Sequence, residues 1–309
     1  MYQAQSALFL YCISPVHMGA GTAVGLIDNP IQRERHTEYP LFAGSGLKGA
    51  VRHRAWTALN GADGNGKNSL LDRLFGPDAG SADLHAGAIS FGDAQLVAFP
   101  VRCTRRAYVY ASSPTALART ARTLNLLGIE VPWKIPEVKE GFCRVVTDGA
   151  PVENGKPLHL ESFEHVAEAA PEMNDIADWL AEHALPSSEA YAFFREKLKH
   201  DLVLLPDEDF GYYVKNATVV EPHVRIHNDK GTAEDGGLFY TENLPPESLL
   251  IAPLMASSER SGKGAMRAED VMRIVLQGGE GIPGLDGQAL QVGGDATTSR
   301  GQIVVTAVS

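Results

Sequence analysis

The 309-residue sequence has few cysteines, few aromatic residues (7%) and no long apolar run. Its three cysteines, Cys12, Cys103 and Cys143, are odd in number and lack the paired spacing of zinc ligands, so the sequence predicts neither a disulfide framework nor a zinc site. The apolar run over residues 7–13 is too short to cross a bilayer, and no basic leader precedes it. We therefore expect a cytoplasmic protein with reduced thiols and no membrane contact.

Basic residues are outnumbered by acidic ones, 27 against 38, which gives a net charge of −11. The imbalance is uneven along the chain. Residues 1–135 carry 13 basic and 9 acidic groups, residues 136–215 carry 7 and 17, and residues 216–309 carry 7 and 12. Because the local field decides where a polyanion binds, the first part is still suited to a phosphate backbone. The acidic middle is suited to an outward face or to contact with other proteins.

The apolar patterns predict both strands and helices, separated by long loops. Hydrophobic residues make up 44% of the chain, which is enough for a substantial core. This mixture predicts an α+β fold with several insertions. The predicted strands cover residues 7–13, 88–101, 108–110, 289–292 and 302–308, and the predicted helices cover residues 44–60, 114–127, 171–184 and 187–200.

The first long helix opens with a glycine-rich sequence, residues 44–49, that matches the dinucleotide-binding pattern GxGxxG. Pro40 makes the preceding segment a poor central strand, and no clear βαβ unit follows. A second interpretation needs only the helix N-terminus, whose free N–H groups attract an anion. Lys48 and Arg52 project on one face and could contact a phosphate chain, although a solvated basic face would have the same spacing.

The loop over residues 14–37 combines glycines with a carboxylate (Asp28), two arginines and two histidines, among them His17. These groups suit phosphodiester chemistry: a carboxylate holds a metal ion or takes a proton, histidine acts as acid or base, and arginine contacts phosphate. The alternative is structural, because residues 28–30 form a good turn sequence and a single histidine is often structural.

Two further glycine-rich segments could contribute to a site. Residues 293–301 form either a wide hairpin turn or a backbone cradle for phosphate, with Arg300 as its charge. Residues 234–237, beginning at Glu234, are interpreted as a turn. The second interpretation is that they contribute an acidic group to a site.

Five ordered segments resemble the backbone subunit of type III-B CRISPR effectors, the Cmr complexes, which belongs to the RAMP superfamily. The most specific of them is Gln-Arg-Glu-Arg-His at residues 32–36, and the helix opening at residues 44–52 follows it. The others are residues 84–100, 225–246 and 293–301, so the resemblance spans nearly the whole chain.

This resemblance implies a single RAMP domain over residues 1–309 with insertions. Its core would be a modified ferredoxin-like sheet of the RNA-recognition-motif type, carrying a thumb-like β-hairpin and an acidic helical insertion at about 136–215. Copies would stack into a helical filament along a guide (CRISPR) RNA, together with other Cmr subunits. Each thumb would wedge into the guide–target duplex, so that target RNA is cut at regular intervals.

The resemblance also implies roles for individual residues. Asp28 matches the family's cleaving aspartate and would bind a divalent metal, Mg²⁺ or Mn²⁺, that is not tightly held. His17 would act beside it in catalysis, and Glu234 would contribute to the site. The residues implied or proposed to bind RNA are Gly46, Lys48, Arg52 and Arg300.

Three competing interpretations stay open at this point. The chain could be a purely structural RNA-binding filament subunit without catalysis, a dinucleotide-dependent enzyme, or a ribonuclease that acts without a guide.

Overall fold

The computed structural model describes residues 2–23, 25–60, 69–78, 84–262 and 266–309. Within these ranges it has strands and helices that alternate along the chain. The strands are β1 (Ala4–Cys12), β2 (Leu41–Phe42), β3 (Ile89–Phe91), β4 (Ala94–Cys103), β5 (Ala107–Ser112), β6 (Phe142–Val145), β7 (Pro157–Leu160), β8 (Phe163–Ala169), β9 (Leu202–Leu204), β10 (Val219–Ile226), β11 (Ala233–Asn243), β12 (Leu249–Ala256), β13 (Gly278–Gly279), β14 (Ile282–Pro283), β15 (Ala289–Gln291) and β16 (Gln302–Val308).

The helices agree closely with the apolar patterns of the sequence. They are α1 (Gly44–Asn60), α2 (Ser69–Phe75), α3 (Pro114–Leu126), α4 (Pro171–His183), α5 (Ala192–Asp201), α6 (Asp207–Asn216) and α7 (Ala268–Gln277). The predicted helices at 44–60, 114–127, 171–184 and 187–200 are confirmed as α1, α3, α4 and α5. None of the described helices has the length and apolar character needed to cross a membrane.

Four antiparallel strands form the centre of the main sheet, in the order β16–β1–β12–β4. The last seven residues of β1 are all buried, which explains why this apolar strand takes a central place with a partner on each side. Helix α1 lies between β1 and β4 in the chain, and α7 lies between β12 and β16. The sheet thus carries the long 13–40 loop and α1 directly after its central strand.

The second half of β4 extends beyond the central four strands and pairs with a further set of strands. The order β4–β5–β9–β6–β8–β7 closes on itself through the pair Cys103 and Leu160. The acidic segment 136–215 therefore contains four strands of a barrel-like sheet in addition to the expected helices. These strands escaped prediction because most of them have only three or four residues, too few to show a clear alternation. The fold is a mixed α and β fold.

Strands β10 and β11 form a separate two-stranded hairpin. Its outer part is exposed, whereas residues 241–243 at its base are buried. The register shifts between Val224 and Ile226, and residues 234–237, which the sequence suggested as a turn, form the irregular part of β11 opposite that shift. The hairpin base is defined here as residues 240–244, and it is the part that meets the site.

Candidate functional site

The loop over residues 14–37, which follows β1, is held along one edge of the hairpin base by backbone hydrogen bonds. Val16 and Leu244 exchange two N–H···O bonds of 2.9 Å. Asn29 donates its N–H to Tyr240 O (3.1 Å), and Glu242 donates its N–H to Asn29 O (3.0 Å). The loop therefore acts as an added strand segment, which fixes its glycine-rich backbone in place.

Asp28 lies at the surface where this loop meets the hairpin. The Tyr240 N–H donates to its Oδ2 at 2.8 Å. Ala23 donates its N–H to Asp28 O (3.0 Å), which closes a short turn within the loop. The side chain is partly exposed, and no partner is found for Oδ1 among the described residues. One carboxylate oxygen thus orients the group, and the side chain stays partly exposed to solvent.

His17 is fixed to the same edge of β11, two residues away. Its Nδ1 lies 2.7 Å from the Glu242 carbonyl oxygen. Because a carbonyl only accepts hydrogen bonds, Nδ1 carries the proton and Nε2 is the atom left for chemistry. Tyr240 and Glu242 are two residues apart on a strand, a rise of about 7 Å. The structure therefore brings the two predicted catalytic residues, His17 and Asp28, to neighbouring positions.

Sequence reasoning missed the residue that organises this arrangement, Glu242. Its side chain is buried, and its two carboxylate oxygens accept from Arg33 Nη2 (2.6 Å), Thr218 Oγ1 (2.8 Å) and Ile31 N–H (3.1 Å). Its backbone holds His17 and Asn29, as described above. An acid within a buried strand segment is a signal in itself, because buried acids are usually paired, but the sequence gives no indication of its partner.

The Gln-Arg-Glu-Arg-His segment has a structural role in the isolated chain. Arg33 also donates to Val214 O (3.0 Å) and Glu38 O (2.7 Å), so both terminal nitrogens of its guanidinium are bound to the protein. The buried Glu34 accepts from Arg119 Nη1 at 2.7 Å. Of the two arginines considered for phosphate contact, Arg33 is therefore occupied and Arg35 is exposed.

An open groove of about 790 Å³ runs along α1 beside the loop. Gly46 lies at one end of it, and an added Cβ there would approach Met18 Cε at 2.7 Å. The glycine-rich segment 293–301 forms part of the opposite wall. Gly293 has a φ of +70°, and an added Cβ would lie 2.3 Å from the His17 carbonyl oxygen, so only glycine lets this segment lie against the loop. The groove thus adjoins the backbone that carries His17.

The N-terminus of α1 already has an acidic partner. The Gly44 N–H donates to Asp93 Oδ1 at 2.7 Å, and an added Cβ at Gly44 would meet Phe91 O at 2.3 Å. The expectation that a phosphate lies across this helix start is corrected at Gly44, because Asp93 already accepts from its N–H. The dinucleotide interpretation loses its basis as well, because the strand before α1 is the two-residue β2, antiparallel to β4.

The three predicted RNA-binding cations differ in their surroundings. Lys48 is half-buried, burial lowers its pKa, and no carboxylate partner is found for it within the described ranges. Arg52 pairs with Asp78 (2.8 Å) and lies 3.8 Å from Asp72. Arg300 pairs with Glu221 at 2.6 Å. Among the described residues, Lys48 is the one of these three cations without a carboxylate partner.

Glu234 is not brought to Asp28. It lies on β11 six residues from Tyr240, in the outer part of the hairpin, and no hydrogen bond to the 14–37 loop is found for its carboxylate among the described residues. Its predicted contribution stays a prediction, whereas Glu242 is the acid that contacts the loop.

Comparison with known proteins places the chain in a family. A RAMP superfamily profile matches residues 9–303. The CRISPR system Cmr endoribonuclease Cmr4 of Pyrococcus furiosus is 31% identical over 299 residues, covering 96% of this chain and 93% of that protein. The CRISPR system CMR subunit Cmr4 of Saccharolobus solfataricus is 21% identical over 301 residues, covering 91% and 94%.

Solved structures share the fold. The crystal structure of oligomeric Cmr4 from Pyrococcus furiosus matches with a TM-score of 0.71 at 24% identity, covering 99% of this chain and 98% of that one. A chain of the type III-B Cmr-beta complex bound to cognate target RNA matches with a TM-score of 0.69 at 19% identity, covering 99% and 98%. The resemblance seen in the sequence is confirmed, and the chain belongs to the RAMP superfamily, in the family of Cmr4 proteins.

Proposed function

We propose that this chain is the backbone subunit of a type III-B CRISPR effector, which binds guide RNA, stacks with copies of itself and cuts complementary target RNA. Its 31% identical relative is named an endoribonuclease of the Cmr system. Proteins of the same fold have been solved as an oligomer and in a complex with target RNA. The observation that carries the proposal is the partly exposed carboxylate of Asp28, held by the Tyr240 N–H at the base of an exposed hairpin. A cytoplasmic location fits its three free cysteines.

The core of this subunit would be a modified ferredoxin-like sheet. The strand order β16–β1–β12–β4, with α1 and α7 as the two crossover helices, supports this assignment. The hairpin of β10 and β11 would be the thumb. Its exposed apolar side chains, among them Val224, Ile226 and Leu238, suit a wedge between stacked bases.

The proposed reaction uses the ribose of the target strand. With one nucleotide displaced from the stack, its 2′-oxygen attacks the adjacent phosphorus, the bond from phosphorus to the 5′-oxygen breaks, and a cyclic phosphate and a 5′-hydroxyl result. Asp28 Oδ1 would take the proton from the 2′-hydroxyl, and His17, when both of its ring nitrogens carry protons, would give the Nε2 proton to the leaving 5′-oxygen. Lys48 would hold nearby phosphate charge.

The donor set near Asp28 suits a weakly held divalent ion. Among the described residues, no group of three or more histidines, cysteines, aspartates or glutamates is placed to hold a metal. Mg²⁺ is often bound through one or two carboxylates together with water and substrate phosphates. Asp28 and an RNA phosphate would together provide such ligands, and Mg²⁺ or Mn²⁺ bound there would stabilise charge on the phosphate.

The test is to purify the chain with its Cmr partners and ask two questions: whether a short guide RNA copurifies, and whether complementary RNA is cut at regular intervals in Mg²⁺. The proposal requires both. Guide binding without cutting in Mg²⁺ or Mn²⁺ would support the purely structural subunit instead. Cutting of free RNA without any guide would indicate an independent ribonuclease.

A further inference from the structure

The part of the 14–37 loop that carries Asp28 is closed by a neck, defined here as residues 18–19 and 31–32. Residues 19 and 31 form an antiparallel bridge, and Gln32 donates its N–H to Met18 O at 2.8 Å. Asp28 lies on the excursion that the neck closes, and His17 lies directly before it. The group that holds the neck therefore controls how His17 and Asp28 are placed relative to each other.

The side chain of Gln32 crosses this neck and reaches the start of α1. Its Nε2 donates to Gly19 O at 3.1 Å, and its Oε1 accepts from the Ala43 N–H at 3.0 Å. Because an amide oxygen accepts and an amide nitrogen donates, the two contacts agree on one orientation of the amide. Ala43 directly precedes α1, and its carbonyl accepts from the N–H groups of Gly46 and Leu47. Gln32 therefore ties the loop to the end of a helix.

Gly19 is the point at which this tie reaches the imidazole of His17. An added Cβ at Gly19 would lie 2.8 Å from His17 Nε2, so the backbone of Gly19 lies directly beside the ring. The opposite nitrogen, Nδ1, is held by the Glu242 carbonyl oxygen. One hydrogen bond fixes that atom but leaves the ring free to rotate about it. The Gly19 backbone limits this rotation on the side of Nε2.

We propose that Gln32 is a positioning residue for RNA cleavage: its amide holds Gly19 against the start of α1, and Gly19 holds the His17 ring in the orientation that presents Nε2. This inference rests on the proposed function and extends it to a residue for which the family resemblance implied no role. Misplacing a group that takes part in the chemistry by about 1 Å can cost on the order of 10²-fold in rate. A small shift of Gly19 should therefore be measurable as slower cleavage.

The first experiment observes the His17 ring in the full-length chain. Proton–carbon NMR spectra are recorded on protein with labelled histidines, and the His17 signal is identified by its loss in His17→Gln. Gln32→Met removes both amide contacts without a change in charge and should shift this signal. Gln3→Met is the control, because the Gln3 amide accepts from the Ser258 N–H at the opposite end of β1 from the loop. It should leave the His17 signal in place.

The second experiment measures target cleavage by the guide-loaded assembly under single-turnover conditions. Gln32→Met should lower the rate constant at saturating target about tenfold or more, while guide loading and the half-saturating target concentration stay unchanged. A residue that serves folding alone would instead lower the fraction of active assembly and leave the rate constant of the remainder as in wild type. Gln3→Met should match wild type in both quantities.

Gln32→Glu separates the two contacts and gives a second measurement if Gln32→Met does not fold. Its carboxylate can still accept from the Ala43 N–H but cannot donate to Gly19 O. It should therefore shift the His17 signal and lower the rate constant as Gln32→Met does. Gln3→Glu is the charge control and should change neither.

An unchanged His17 signal in the Gln32 variants would overturn the inference, and so would a shifted signal with a normal rate constant. Both results leave the proposed function in place, because the wild-type assembly still cuts its target. A wild-type assembly that binds guide RNA and does not cut would refute the proposed cleavage itself, and the positioning role in cleavage would fail with it even where the His17 signal shifts as expected.

Discussion

The hairpin base and the α1 groove both border the 14–37 loop, and they differ in whether their charged side chains are paired. At the hairpin base, Arg33 and Glu242 are paired at 2.6 Å. The same carboxylate also accepts from the Thr218 hydroxyl and from the Ile31 N–H. In the groove, Arg54 has a buried nitrogen for which the described part of the chain offers no acceptor. The residues proposed for catalysis are thus held by groups of the chain itself, whereas Arg54 Nη1 has no such partner among the described residues.

This difference separates two tasks of the molecule. Backbone groups of the hairpin base hold Asp28 and His17, and the buried Glu242 fixes that base, so the candidate site is ordered in the isolated chain. The flanks of α1 instead carry two cations, Lys48 and Arg54, for which no carboxylate partner is found among the described residues. Substitutions at the hairpin base should therefore change folding or catalysis, and substitutions along α1 should change affinity.

The largest effect is expected from Glu242→Ala. It leaves Arg33 and the Ile31 N–H without their acceptor, and breaking a buried ion pair costs about 3–5 kcal/mol. Urea unfolding should show this loss. Glu221→Ala is the control, because the Glu221–Arg300 pair is more exposed and should cost at most about 1 kcal/mol. Equal losses in the two variants would contradict the central role of Glu242.

A smaller effect, confined to catalysis, is expected from Gly19→Ala. An added Cβ at Gly19 would lie 2.8 Å from His17 Nε2, so the imidazole must move away from its position. The cleavage rate should fall about tenfold or more, because acid–base groups contribute on the order of 10²–10⁴. Gly25→Ala in the same loop meets no atom within 4 Å and is the control. A normal rate in Gly19→Ala would remove His17 from the reaction.

Glu247 is the exception at the hairpin end of the site, because one of its carboxylate oxygens is buried and has no partner among the residues that the structure describes. Burial raises its pKa from 4.5 to about 7. The folded state therefore holds this proton more tightly than the unfolded state, and stability falls as pH rises from about 4.5 to 7 and then levels off.

Glu247→Gln should remove this pH dependence, which amounts to on the order of 1 kcal/mol after allowance for partial exposure. Thermal unfolding at pH 5 and pH 8 measures it. Glu280→Gln is the control, since Glu280 is exposed and shares the left-handed backbone conformation. Parallel pH profiles for wild type and Glu247→Gln would refute the buried, neutral carboxyl.

The smallest effect distinguishes two cations on one flank of α1. Lys48→Gln should lower the salt slope of RNA binding by about 0.7, because no carboxylate lies beside Lys48 in the described part of the chain. Arg52→Gln should lower it less, since Asp72 and Asp78 already neutralise that charge. Equal reductions would show that RNA displaces both acids from Arg52.

Much of the fold could be predicted from the sequence where apolar patterns are long, as in β1 and α1. The barrel strands β6, β7 and β9 could not, because three or four residues do not establish a period. Asp28 and His17 were predicted as catalytic residues from the composition of their loop and from the family resemblance. The residues that orient them, Tyr240 and Glu242, lie more than 200 positions away, and no local pattern encodes that contact.

The helix start shows the same limit from the other side. The glycines and the dipole of α1 predicted that an anion, a phosphate, would bind at this helix start. The anion found there is the Asp93 carboxylate. Asp93 lies in the short connection between β3 and β4, and it is brought to the Gly44 N–H only by folding.

The most direct measurement is target cleavage by a guide-loaded assembly that carries Asp28→Asn. Asparagine keeps an oxygen to accept from the Tyr240 N–H, so the loop should hold its position while the negative charge is lost. Asp235→Asn, on the outer part of the same hairpin, is the charge control. The account predicts normal guide and target binding with cleavage at least about 10²-fold slower in Asp28→Asn, and a normal rate in Asp235→Asn. Cleavage at the wild-type rate in Asp28→Asn would contradict the assignment of Asp28 as the cleaving residue.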